Sequence, residues 1–173
     1  MSLELSRFFD RVIRASFRDL ALSGDPAAPY LADLLTRFAR TENLHPRGAT
    51  LPRLDTVVDM LIEAQNVWRD DSAWFEPEHE VAVRRHIGDY TLFMTGLFPE
   101  RVERVASTGF YIQQGKRAYQ FVSEHDRAAA RDGATVFRRL ADRFESYARA
   151  LHYARHVYFL DHPAHAFFRL TFG

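Results

Sequence analysis

The sequence contains no cysteine. That absence excludes disulfides, thiolate nucleophiles and thiolate metal sites together, and it fits a reducing compartment. An excess of charge is also missing, because 23 Lys and Arg stand against 23 Asp and Glu for a formal net charge of zero. No global field would gather phosphate backbones or anionic headgroups, so a nucleic-acid partner is not expected. Long apolar runs are absent too. A spanning helix needs about 18 or more mostly apolar residues, and the longest candidate, Thr91 to Phe98, is interrupted by Gly96. No membrane partner is expected. Met1 to Asp10 lacks the apolar core of a secretion signal, since Glu4, Arg7 and Asp10 punctuate it, and the chain reads as cytoplasmic. With 7 prolines and 8 glycines, the chain is too poor in both for a disordered or fibrous protein. No repeat, low-complexity tract or Gly/Ser linker divides it, so residues 1–173 read as a single helical domain.

What is present is helical periodicity. Leu5, Phe8, Phe9, Val12, Ile13, Phe17 and Leu20 mark a helix from about Leu3 to Leu22, ended by Ser23-Gly24. Leu31, Leu34, Leu35 and Phe38 mark a second from near Pro29, and Leu54, Val57, Val58, Leu61 and Trp68 a third from about Pro52. The fourth runs from Pro77 to Phe98. Its main stripe is Val83, His86, Ile87, Tyr90, Met94 and Leu97, while Gly88, Leu92, Thr95 and Gly96 occupy the other side. Two buried sides make this fourth helix the central one, and the glycines should let another helix approach closely.

A turn from Pro99 to Ala106 leads to a helix from Phe110 to about Arg131, with Tyr111, Ile112, Gly115, Ala118, Tyr119, Val122 and Asp126 on its inner stripe. Asp132-Gly133 breaks the chain. A long C-terminal helix, Ala134 to Leu160, then repeats Phe137, Leu140, Phe144, Tyr147, Leu151, Ala154 and Tyr158 at three-four spacing. The tail carries Phe167, Phe168, Leu170 and Phe172 and should lie over a core or a neighbouring subunit. The fold class is therefore all-α, a single-domain bundle of about six to seven helices. Fifteen phenylalanines on an uncharged chain favour self-association, and a homodimer is expected.

His79 and His86 share a face of the fourth helix with Tyr90, and Asp89 follows His86 at a spacing that could orient its ring. Asp126 interrupts an apolar stripe near Tyr119, and Tyr147 lies on the last seam. These residues, His79, His86, Asp89, Tyr90, Tyr119, Asp126 and Tyr147, are the ligand-binding candidates. One reading is a buried hydrogen-bond network, the usual fate of polar groups in helical cores. The other is a general base or a metal or haem ligand at His86.

No dedicated metal site or cofactor is expected. Glu76 and His79 form one Glu-x-x-His element without the second that a di-metal bundle requires, and Glu76 before Pro77 suits a helix cap. His152 and His156 have metal-binding spacing but fall on the polar side of the last seam. Asp70-Asp71 lacks the acidic company of a magnesium site, and no phosphate-cradling loop or nucleophile elbow occurs. The pairs Arg84-Arg85 and Arg138-Arg139 read as solvated.

The stretch Ile87-Gly88-Asp89-Tyr90-Thr91-Leu92-Phe93-Met94-Thr95-Gly96-Leu97-Phe98-Pro99-Glu100, followed by Phe110-Tyr111-Ile112 and Gly115 to Tyr119, resembles a pattern in an uncharacterised bacterial all-helical family. The resemblance implies no activity and carries over no catalytic residue. Two main functions follow from the sequence, with a purely structural or regulatory subunit as a third. The first is a small-ligand or protein-binding module, in which aromatic walls enclose a small apolar ligand. The alternative is a metal- or haem-dependent enzyme using the His/Asp/Tyr cluster.

Overall fold

The computed structural model describes residues 2–40, 61 and 77–173. The third expected helix, apart from Leu61, and the residues Asp70, Asp71 and Glu76 lie outside the described residues. Among the described residues every regular element is helical. In chain order these are α1 (Ser2–Asp19), α2 (Ala28–Phe38), α3 (Pro77–Leu97), α4 (Pro99–Val105), α5 (Thr108–Ala128), α6 (Ala134–Asp142), α7 (Phe144–Ala154), a π-helical turn (Arg155–Phe159) and α8 (Pro163–Phe172).

Among the described residues eight α-helices thus stand where six to seven were expected of the whole chain. Pro99 starts a true helix, α4, because it fits the first helical turn and Val102 has a core to enter. The expected Ala134–Leu160 helix is divided at Arg143, whose backbone (φ −119°, ψ 28°) leaves the helical region. The tail is also helical. Pro163 starts α8, which is capped by the His162 ring accepting from the Ala164 N–H at 3.1 Å.

Two helix ends show how the chain turns without glycine. Past α1, Ala21 is left-handed (φ 59°), with Leu22 N–H bonded to Phe17 O at 2.7 Å and Ala21 N–H to Arg18 O at 3.2 Å. Past α5, Ala130 (φ 53°) repeats this pair of bonds, Arg131 N–H to Asp126 O at 2.8 Å and Ala130 N–H to Arg127 O at 3.1 Å. Both are Schellman caps with alanine where glycine is customary. Helix α1 accordingly ends before Ser23-Gly24.

Helix α3 is central, as its two apolar sides require. It packs against α5, α7, α4 and α2, while α1 packs on α2 and α7, and α6 on α5. The glycines of α3 make the close approaches possible. A Cβ on Gly88 would lie 2.6 Å from the Tyr119 ring of α5, and one on Gly96 would lie 2.7 Å from Leu151 Cβ of α7. Both distances are well inside van der Waals contact.

The phenylalanines of the tail close the core from within the same chain. Phe93 of α3 lies 4.6 Å from Phe38, 4.7 Å from Phe172 and 5.2 Å from Phe168 between ring centroids, and Phe168 stacks on Phe9 at 5.9 Å. Each such pair adds about 0.5–1.5 kcal/mol beyond its buried area. Among the described residues no phenylalanine is exposed. No helix among them is long and apolar enough to cross a membrane.

Candidate functional site

Asp89 is 1% exposed on α3 and faces two other helices. Tyr30 and Arg37 lie two turns apart on α2 and therefore share a face; Tyr119 comes from α5. The Tyr30 and Tyr119 hydroxyls each donate to Asp89 Oδ1 at 2.7 Å. Arg37 Nη1 donates to Oδ2 at 2.9 Å, and Arg85 Nε lies 3.9 Å from the same oxygen while donating to Tyr30 Oη at 3.2 Å. Burial, and then the Asp89 charge, push both phenols well above their ordinary range. They therefore remain protonated donors at neutral pH. Burial opposes the charge on Arg37 most strongly, yet Asp89, Tyr30 and Asp33 together outweigh it and the guanidinium is held more firmly protonated than usual. Both oxygens of this carboxylate are taken by donors of the protein itself. Its evident work is to tie α2, α3 and α5 together.

The other candidates do not converge on Asp89. His86 and Tyr90 are half-buried on α3, and the His86 ring lies parallel to Phe38, with centroids 6.2 Å apart. His79 is half-buried near the start of the same helix. Asp126, at the end of α5, lies 3.6 Å from His125 and 3.8 Å from Arg131, and Arg131 reaches Glu78 at 2.8 Å. Tyr147 of α7 donates to both Asp25 oxygens, at 2.9 and 3.0 Å. Arg139 grips Asp25 bidentately at 3.0 and 3.1 Å, and the Ala27 N–H adds a bond of 2.9 Å. Burial first, then Asp25, pushes the Tyr147 phenol up to about 12. The structure thus joins Asp89 with Tyr119 and places Asp126 and Tyr147 in separate networks.

Tyr30, Arg37 and Arg85 were not among the sequence candidates. The spacing of Tyr30 and Arg37 was visible, but nothing in periodicity says which distant carboxylate they meet. Arg85 precedes Asp89 by one helical turn, which was a usable signal. The paired basics divide their labour. Arg138 is solvated, whereas Arg139 binds Asp25, Arg84 lies over the Phe121 ring at 5.2 Å and Arg85 over Tyr30 at 5.5 Å. The guanidinium groups of Arg84 and Arg85 thus lie over aromatic faces, which keeps those charges close to the core.

A groove of about 660 Å³ opens on another part of the molecule. Leu20, Thr95 of α3, Pro99 of α4 and Ile112 of α5 form one part of its lining; Glu145, Ala148, Arg149, His152, Tyr153 and His156 form the rest. Ala148 and Thr95 are more than nine-tenths buried, and the Thr95 hydroxyl has no hydrogen-bond partner among the described residues. At the rim, Lys116 holds Glu145 with bonds of 2.8 and 2.9 Å. The His152 and His156 rings meet edge to face, with centroids 4.3 Å apart. Burial, then His152 and Arg155, holds the His156 ring below its ordinary range, against a smaller opposing effect of Glu100. The ring is neutral at pH 7.

A smaller cavity of about 370 Å³ lies between the start of α1 and α8, against Leu5, His162 and Phe167. Among the described residues no three His, Asp or Glu side chains gather as a metal site. Comparison with protein-family models, curated proteins and solved structures finds no match to this chain.

Proposed function

We propose that this protein is a binding module and that the groove between α3, α5 and α7 holds a small, largely apolar ligand. The observation carrying this reading is the groove itself. Its volume of about 660 Å³ falls within the range of small-molecule sites, and its lining combines aliphatic walls with a few convergent polar groups. The Thr95 hydroxyl supports it further, because a buried polar group without a partner is one a ligand oxygen would satisfy.

The test is titration with a neutral apolar fluorophore such as N-phenylnaphthylamine. One probe should bind per chain, and Ile112→Trp, which fills the groove from a half-buried wall position, should abolish binding while leaving the helical circular dichroism intact. No binding, or equal binding to the filled variant, would overturn the reading.

The metal- or haem-dependent alternative has less support, since the carboxylate best placed in sequence to serve His86 is already bonded to Tyr30, Tyr119 and Arg37. The proposal includes a homodimer and a cytoplasmic setting. Exposed Leu170 (89%), Leu3 (64%) and Val105 (60%) support the first, and the absence of cysteine supports the second. A sedimentation coefficient of a monomer at every concentration would remove the dimer.

A further inference from the structure

We infer that the ligand of the groove is an amphipathic monocarboxylate, its aliphatic body against Leu20, Pro99, Ile112 and Ala148 and its carboxylate among Arg149, His152 and His156. This rests on the reading that the groove binds a small ligand, and it adds the chemistry of the head group.

Charge complementarity carries the argument. Arg149 is exposed at the rim; its guanidinium bonds Ser146 Oγ at 3.3 Å and forms no ion pair among the described residues. Arg149 and His152 lie one turn apart on α7, and the His156 ring of the π-helical turn meets the His152 ring with centroids 4.3 Å apart. A one-turn spacing brings side chains about 5–6 Å apart at Cβ, close enough for one carboxylate to reach two of them. The rim acids offset these donors only in part. Glu145 feels the Arg149 charge, but both of its oxygens are held first by Lys116, and Glu100 acts on His156 as the weakest of its named neighbours.

An anion is thus favoured beside Arg149 and the histidines, while Leu20, Pro99, Ile112 and Ala148 favour hydrocarbon. A guanidinium and two ring N–H groups suit a planar carboxylate, which accepts such donors side by side. A cationic head would be repelled by Arg149, and a neutral head would forgo a charge-assisted bond to it.

Displacement of bound N-phenylnaphthylamine by octanoate and by octanol, at pH 7 and equal chain length, tests the inference. Octanoate should displace the probe at about tenfold lower concentration than octanol, the ratio expected from one charge-assisted hydrogen bond. Arg149→Gln, at an exposed position, should remove most of that advantage without changing octanol. His156→Gln should weaken octanoate to a lesser degree. Equal displacement by the two ligands, or failure of both while the probe still binds, would overturn the carboxylate and leave the groove reading standing. Failure of the probe itself to bind would overturn both.

Discussion

Asp89 shows how much one buried side chain can decide. It is surrounded by two phenols and two guanidiniums from three helices, and Asp89 itself and Tyr119 are fully buried. Breaking a buried ion pair from one side costs about 3–5 kcal/mol, mainly because the remaining charge stays buried. Asp89→Ala should therefore lower the unfolding free energy by about that amount in urea titration. Tyr119→Phe, which removes one donor and leaves the charges paired, should cost about 1–2 kcal/mol. A cost for Asp89→Ala below that for Tyr119→Phe would contradict the network. Tyr119 was legible on an inward stripe, and Asp89 as a carboxylate spaced to orient His86. Their meeting was not, because helical spacing orders residues along a face but leaves open which faces meet. Nor could it show that Asp126 and Tyr147 would find Arg131 and Asp25 instead.

At the scale of elements, the seam of the last predicted helix survives a change of geometry. Phe137, Leu140, Phe144, Tyr147, Leu151 and Ala154 are all buried as their spacing requires, although Arg143 divides the helix. Past Ala154 a π-helical turn inserts an extra residue, so the buried position falls on Phe159 while Tyr158 moves outward to Asp19. Sequence periodicity assumes an unbroken α-helix and so assigns the seam to Tyr158. Phe159→Ala should cost about 3–5 kcal/mol, as large-to-small changes in a packed aromatic core do. Tyr158→Phe should cost well under 1 kcal/mol. The reverse order in thermal or urea unfolding would restore the α-helical register.

Helix α8 adds a dependence on pH. Its cap needs His162 Nδ1 unprotonated, and Arg155 Nε donates to His165 Nε2 at 3.3 Å, which also needs a neutral ring. Burial and then Arg11 lower the His162 pKa; burial and then Arg155 and Arg169 lower that of His165. Both rings take up protons more readily in the unfolded chain, whose histidines titrate near pH 6.5. Their contribution to stability is therefore present above that pH and is lost as pH falls below it. Stability should decline between pH 7 and 5, before most carboxylates titrate. His162→Asn, which can cap without titrating in this range, should flatten part of that slope. An unchanged pH profile in this variant would contradict the role given to the cap.

For the whole molecule, the sequence made an all-helical single core legible because apolar stripes recur at helical spacing over most of the described chain. It did not reveal how many helices would form. Val102 and the phenylalanines of α8 needed a core to enter before their short segments could become helices, and that core exists only in three dimensions. Absorbing Phe168 and Phe172 internally removes much of the apolar surplus from which a dimer was first expected, leaving Leu170 and a few other exposed side chains to support it. The groove was equally hidden in the sequence. Its walls come from four helices and the chain just past α1, and its polar groups are scattered from Thr95 to His156.

On the proposed reading this groove, rather than the cavity against α8, receives the ligand. Methyl-selective NMR during titration with N-phenylnaphthylamine tests it most directly. Saturable shifts should concentrate on Leu20, Thr95, Ile112 and Ala148, with Leu5, Ala39 and Ala164 of the smaller cavity left in place. Shifts centred on Leu5, Ala39 and Ala164, or none at any of these methyls, would contradict the account.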